Sequence, residues 1–196
     1  MAVTAVVFDV GETLVDETRA WKHAAAVGDV PEFTLMAVVG GLAARGEDHR
    51  RAFGLLGFAP PRLPPVEPAD FYRDAVPCLE RLRREGFALG LAGNQPAHAR
   101  EALIACGLDV DFVATSAGWG VEKPAPGFFS RVVDEAGRAA GEIAYVGDRI
   151  DNDVVPARRA GMFAVHIRRG PWGLLHETDQ ADAVIESLDE LPAALA

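Results

Sequence analysis

The sequence predicts an α/β protein with a mostly parallel, doubly wound sheet covered by helices on both faces. Three observations carry that prediction. Short apolar runs alternate with longer stretches of helical spacing along most of the 196 residues, a pattern that implies right-handed crossovers between parallel strands. Hydrophobic residues make up 49% of the chain and charged residues 24%, an ordinary balance for a globular protein with a sizeable core. Acidic residues also recur just after the strand-like runs, at the sheet edge where such folds bind ligands.

Taken in order, the first run, Ala5–Phe8, leads into Asp9 and breaks at Gly11. From Asp16 to Asp70 no strand pattern appears. Helical spacing covers Thr18–Val27, Phe33–Ala44 and His49–Leu56, and five prolines within Pro60–Pro68 stiffen the return path. Residues 16–70 therefore read as a small helical insert, with 1–15 and 71–196 forming the α/β core. The Pro61-to-Pro64 PxxP reads as part of a rigid linker rather than a docking peptide. Ala75–Glu85 is the next helix, closed by Gly86 at a left-handed cap position. Strand Ala88–Ala92, helix Ala97–Cys106 and strand Phe112–Ala114 follow. Pro126 opens helix Pro126–Ala136 from its first turn. Strand Ile143–Val146, helix Val154–Ala160 (closed by Gly161) and strands Ala164–Ile167 and Ala183–Ile185 complete the chain.

The charge narrows the function classes. A formal charge of -10, a pI near 4.9 and two lysines, Lys22 and Lys123, among 19 basic residues argue against a nucleic-acid partner. The arginines are scattered or paired, without a basic stripe. Cys78 and Cys106 lack metal-ligand spacing and read as reduced core residues. The uncharged run Phe33 to Ala44 is too short to span a bilayer, and the first residues lack a basic leader pattern. The expectation is a cytoplasmic protein with no membrane partner.

The strand ends carry the chemistry. Asp9 follows the first strand, Asn94 the second, and Asp148 follows Val146 through Gly147. All three fall on one edge of the sheet if it is parallel. Asp151 and Asp153 come within a turn of Asp148; alone, Asp153 reads as a helix cap. Lys123, before Pro124, alone reads as a surface lysine. Together, carboxylates at one crevice suit a hard divalent cation such as Mg²⁺. A lysine and a cation neutralise a phosphoryl group, and one carboxylate is free to attack.

The stretches VVFDVGETLVDE, LGLAGNQP, GVEKPAPGFF and YVGDRIDNDVVPARRAGM, in that order, resemble motifs one to four of the haloacid dehalogenase-like (HAD) superfamily. The resemblance implies a Rossmann-like three-layer core with a helical cap inserted after the first strand. It implies that Asp9 is a nucleophile forming an aspartyl ester or aspartyl phosphate, and that Lys123 orients it and balances charge. It further implies that Asp148, supported by Asp153, holds Mg²⁺ together with Asp9 and the backbone carbonyl of Gly11. Backbone N–H groups around Gly11, Glu12 and Asn94 can face an anion, and Gly93 and Asn94 are the expected substrate-binding positions.

Two departures stand out. Phosphatases of this family usually read DxDxT in the first motif, with the second Asp as general acid; here that position is Gly11. The second motif usually carries Ser or Thr where this chain has Gly93. Loss of a general acid costs ~10²–10⁴ in rate, least for leaving groups that need no proton. Glu12 is the candidate replacement, one position off. His23 and His98 read as helix-surface residues. The leading expectation is an Mg²⁺-dependent phosphatase for a small phosphorylated metabolite, and the alternative is a protein that binds a phosphorylated ligand without turnover. Gly147-Asp148 with Asp153 disfavours a metal-independent 2-haloacid dehalogenase. A phosphonatase-type C–P hydrolase would need a cap lysine, and Lys22 lies too close to Asp9 in sequence to match it well. Trp119 and Trp172 read as packing anchors, and Arg168 and Arg169 as residues at the crevice rim.

Overall fold

The computed structural model describes residues 2–177 and 179–196. Its centre is a six-stranded, all-parallel sheet: β1 (Ala5–Phe8), β2 (Ala88–Gly93), β3 (Phe112–Thr115), β4 (Ile143–Gly147), β5 (Phe163–Ile167) and β6 (Ala183–Ile185), in spatial order β3-β2-β1-β4-β5-β6. The predicted strands are all present, three of them one residue longer at the C-terminal end and one longer at the N-terminal end. The helices, in chain order, are α1 (Thr18–Val27), α2 (Glu32–Ala44), α3 (Arg51–Leu55), α4 (Ala75–Arg84), α5 (Ala99–Ala105), α6 (Ser116–Trp119), α7 (Pro126–Ala136), α8 (Val155–Arg159), α9 (Gly170–Leu175) and α10 (Leu191–Ala194). Gly86 and Gly161 follow α4 and α8 with positive φ, as their sequence positions predict.

Strand β1 shows why the layers form. It is buried on both faces, so every residue of AVVF is apolar. Val6 and Phe8 face a cluster with Leu79 and Leu82 of α4 and Leu103 of α5. Ala5 and Val7 face the opposite way, toward Phe128, Phe129 and Val132 of α7 and Ala157 of α8. Two-residue side-chain alternation thus feeds two helical layers from one strand. The topology also fixes the crevice. After β3 the chain crosses back to place β4 beside β1, so β1 and β4 are the pair at which winding reverses. The turns leaving them diverge and leave room for a ligand.

The helical segment after β1 has a third apolar cluster of its own: Trp21, Leu35, Val39, Leu42 and Phe53, joined by Trp172 from α9. It leaves and rejoins the core at one place. Asp16 N–H donates to the Asp70 carbonyl at 2.8 Å, Tyr72 N–H to the Leu14 carbonyl at 2.9 Å, and Val15 pairs with Phe71 in an antiparallel bridge. His176 bonds the Ala43 carbonyl at 2.7 Å through Nε2, a second tie between the segment and the core. No single helix among the described residues is long and apolar enough to cross a membrane.

One difference from the sequence reading bears on the crevice. Helix Val154–Ala160 was expected to start from an Asp153 cap. Instead, Ile150–Val154 forms a π-helical turn before α8. Asp153 caps that turn backwards, accepting the Arg149 N–H at 3.0 Å.

Asp74, before α4, ties the C-terminal segment to the core. Its carboxylate accepts two bonds from Arg169, one from Ser187 Oγ at 2.8 Å and one from the Leu188 N–H at 3.0 Å. Burial alone would raise its pKa, but these donors outweigh burial and lower it. A depressed carboxylate pKa contributes stability above the unfolded value, about 4, and loses it as pH falls through the folded value. Asp74→Asn should therefore cost about 3 kcal/mol at pH 7, since it strands a partly buried guanidinium. That cost should shrink by pH 3, as read by urea unfolding of the two proteins at both pH values; an equal cost at both would refute it.

Candidate active site

Asp9 leaves β1 at the reversal point with its N–H on the Val146 carbonyl of β4 at 2.9 Å. Asp148 leaves β4 one residue beyond Gly147, and Asp153 returns to the same spot on the π-helical turn. Ligand oxygens of Asp9, Asp148 and Asp153 lie within 4.8 Å of one another, and all three residues are buried. Three carboxylates at that spacing repel strongly in a low-dielectric pocket unless a cation joins them.

Lys123 is the resident cation. Its Nζ, 4% exposed as a residue, donates to Asp9 Oδ1 and to Asp153 Oδ1, each at 2.6 Å. Burial would lower the lysine pKa, but the Asp153 and Asp9 charges outweigh it and hold the ammonium form. The sequence singled out this lysine; its burial was not evident there. Asn94 holds the lysine's backbone from both sides: its Oδ1 accepts the Lys123 N–H at 2.8 Å, and its Nδ2 donates to the Lys123 carbonyl at 3.0 Å. The side chain of Asn94 thus positions Lys123, a role beyond the backbone contact expected of it. Tyr145 and Phe128 form an aromatic floor, with Nζ 5.6 Å and 5.8 Å from their ring centroids. Tyr145 OH donates to the Ala92 carbonyl at 2.7 Å, pinning that floor to β2.

Asp148 remains short of partners. Its carbonyl accepts from His166 Nε2 at 3.1 Å, but its carboxylate Oδ2 is buried and has no hydrogen-bond partner among the described residues. Burial, then the charges of Asp153 and Asp9, push its pKa well up. Burial likewise pushes Asp153 up, to about 6, against the pull of Lys123. An orphaned carboxylate oxygen beside two further carboxylates fits a hard, oxygen-loving divalent cation.

Gly147 makes this packing feasible. A Cβ there would stand 2.4 Å from Cγ of Asp153, so a side chain at 147 would expel the carboxylate from its place beside Lys123. Gly93 is buried at the end of β2, where a Cβ would stand 2.6 Å from Asp9 Oδ1. No hydroxyl is presented there. Gly11 sits in the turn after β1 and pairs with Val15.

Glu12 is buried rather than solvent-facing, with φ at +53°. Its Oε2 accepts from Tyr72 OH at 2.6 Å and its Oε1 from the Glu17 N–H at 3.1 Å. Both oxygens are thus committed, one to Tyr72 and one to the Glu17 backbone. Arg169 is similarly committed: it bonds Asp74 and the Thr13 carbonyl and lies 4.3 Å from the Tyr72 ring centroid. Arg168 pairs with Glu186 at 3.3 Å. Lys22, His23 and His98 are exposed. Trp172 packs with the inserted helices, as an anchor should, and also carries Arg149 stacked on its ring at 4.9 Å. Trp119 packs edge-on against Phe128.

A profile of the haloacid dehalogenase-like hydrolases matches residues 3–161. The chain belongs to that family. It is 34% identical to a glyceraldehyde 3-phosphate phosphatase of Methanopyrus kandleri, over 87% of this chain and 86% of that protein. Among solved structures, a HAD phosphatase from Thermococcus onnurineus is 26% identical with a TM-score of 0.68, covering 99% of this chain and 98% of the other. The L-2-haloacid dehalogenase from Xanthobacter autotrophicus, 21% identical over 98% of both chains with a TM-score of 0.70, shares the fold.

Within this HAD-like hydrolase, sequence reasoning passed over Tyr145, Arg149 and Glu17. Tyr145 and Arg149 flank the Gly147-Asp148 pair and look like ordinary strand and loop residues until the topology folds them onto Lys123 and Trp172. Glu17 closes the first quoted stretch. Its carboxyl bonds the side chain of Trp21, and burial, then the charges of Glu12 and Asp9, push its pKa up to about 8.

The crowding of carboxylates has a measurable consequence. A carboxylate with a raised folded pKa contributes most below its unfolded value, about 4, and loses that contribution as pH rises through the folded value. In EDTA, unfolding free energy should therefore fall between pH 5 and pH 7. Asp153→Asn should flatten that fall, and millimolar Mg²⁺ at pH 7 should restore stability. A flat curve for the unsubstituted protein in EDTA would contradict this account of the cluster.

Proposed function

We propose that this hydrolase is an Mg²⁺-dependent phosphatase acting on a small phosphorylated metabolite through an aspartyl phosphate on Asp9. One observation supports it above the others: Lys123 bridges Asp9 and Asp153 while the neighbouring Asp148 carboxylate keeps an unpartnered buried oxygen. Asp9 and Asp148 would hold the metal, with Asp153 placing Lys123. When bound there, Mg²⁺ would offset the charge that repels a phosphate dianion from a carboxylate.

The protein's own groups do the rest. Lys123 fixes Asp9 Oδ1, which leaves Oδ2 as the attacking atom. Its ammonium also offsets negative charge as Asp9 and the phosphoryl group approach. Attack forms an Asp9–phosphorus bond and releases the alcohol; water then displaces the aspartate and gives inorganic phosphate. The inserted helices act as a cap in this reading, setting substrate size with Trp21 and His49 against Trp172 and Arg149. The phosphatase names of its relatives and the Asp148–Asp153 pair favour phosphoryl transfer over C–halogen cleavage. The unpaired state of Cys78 and Cys106 suits work in the reducing cytoplasm.

A second reading draws on Gly11 and Gly93, which offer neither a carboxyl nor a hydroxyl: the site would bind a phosphorylated ligand without consuming it. Assays with acetyl phosphate and p-nitrophenyl phosphate separate the two. Mg²⁺-dependent release of phosphate, lost in EDTA and reduced at least 10³-fold in Asp9→Asn, is expected. Binding of Mg²⁺ with no turnover of either compound would favour the second reading. Halide release from a 2-haloacid in EDTA would overturn both.

A further inference from the structure

Gly11 has no side chain, yet the space a side chain would fill there is taken. A Cβ on Gly11 would stand 2.4 Å from Oε1 and 2.8 Å from Cδ of Glu17. By ordinary bond geometry, an aspartate's carboxylate oxygens lie about 2.4 Å from its own Cβ. The Glu17 carboxyl, six residues along the chain, therefore lies against Gly11 in the volume that a side chain at position 11 would claim. The two positions are mutually dependent: any larger residue at 11 must displace Glu17.

A separate feature says that the placement is not helix capping. Glu17 occupies the N-cap position of α1, but its side chain makes no capping bond. The first turn is served instead by Asp16, whose Oδ1 accepts the Thr18 N–H at 2.8 Å. The Glu17 carboxyl turns back toward the strand-end crevice, steadied by Trp21. Its backbone N–H holds Glu12 Oε1 at 3.1 Å while Tyr72 holds Oε2, so the nearer glutamate is tied down and the more distant one is presented. Glu17 as a whole residue is half-buried.

We propose that Glu17 is the acid–base residue of this hydrolase, supplying from the start of α1 the carboxyl that position 11 lacks. The inference rests on the phosphatase reading above. As Asp9 Oδ2 bonds phosphorus and the phosphorus–ester oxygen bond breaks, the Glu17 carboxyl gives its proton to the departing oxygen. The resulting carboxylate takes a proton from water as that water's oxygen attacks the phosphorus of the aspartyl phosphate. The Asp9–phosphorus bond breaks, inorganic phosphate leaves, and both carboxyl groups return to their starting forms. Because Glu17 belongs to the first residues of the inserted segment, movement of that segment would carry the acid with it.

The test is the dependence of rate on leaving group. Phenyl phosphate, p-nitrophenyl phosphate and 2,4-dinitrophenyl phosphate present oxygens that need a proton progressively less. Glu17→Gln keeps the shape and should lose ~10²–10⁴ on phenyl phosphate, with little loss on the dinitrophenyl ester and with Mg²⁺ affinity and melting temperature near those of the unsubstituted protein. A structural role would instead lower all three rates alike. Gly11→Asp combined with Glu17→Ala, which moves the carboxyl to position 11, should recover at least tenfold on phenyl phosphate over Glu17→Ala alone; this pair also serves if Glu17→Gln fails to fold. Equal losses on all three esters, or no loss on any, would overturn the role of Glu17 alone. Absence of turnover by the unsubstituted protein on every ester would remove the phosphatase reading and this inference together.

Discussion

The ammonium of Lys123 between Asp9 and Asp153 is the interaction on which the rest of the site depends. Three carboxylates from two strand ends and a π-helical turn converge where water is scarce. Without a cation the arrangement would swell or take up protons. With Lys123 in place, two of the three have a partner at 2.6 Å, and the third, Asp148, is left with a bare oxygen. That asymmetry is the chemically useful part: Lys123 offsets the charge of two carboxylates, and the charge left on the third is compatible with a metal.

The constraint propagates outward. Lys123 must enter from a loop, since a long side chain aimed between two strand ends has to approach from the crevice side. Asn94 at the end of β2 fixes that loop by its backbone. Tyr145 and Phe128 close the space below it, so that the lysine stem is solvated by aromatic rings rather than water. Asp153 reaches Lys123 only because Gly147 leaves its carboxylate room and because the turn at Ile150–Val154 is wound more loosely than an α-helix. A regular helix starting at Asp153 would turn the carboxylate toward its own N-terminal N–H groups.

These details mark the boundary of what the sequence made legible. Strands and their order of appearance could be read because parallel central strands are continuous apolar runs bounded by glycine or a carboxylate, as AVVF before Asp9 and IAYVG before Asp148 show. The clustered carboxylates and the lysine could be read because their positions follow from strand ends, with the motif resemblance giving each an expected role. The side-chain directions could not. Glu12 reads as the candidate acid one position off, and it is buried at φ +53° with its oxygens bonded to Tyr72 and Glu17. Asp153 looked like a cap for the helix that follows, and it caps the turn that precedes. Arg169 reads as a crevice-rim residue and is held by Asp74, distant in sequence, a pairing that no local pattern signals.

The glycine at position 11 depends on the same kind of long-range placement. In the first motif it reads as a loss, because only the residues next to it in sequence are considered. In three dimensions the turn from Gly11 to Glu17 doubles back through the Gly11–Val15 bridge, and a glutamate at its far end lies over the vacated position. A side chain one methylene longer than aspartate, starting from the next segment, can cover ground that the short one covered from within the turn, provided that nothing stands at 11 to block it. Read this way, the glycine is the condition for Glu17 to be there. The same logic applies to Gly147 and Asp153: in both places the absence of one side chain is what lets a carboxylate from elsewhere take up its position.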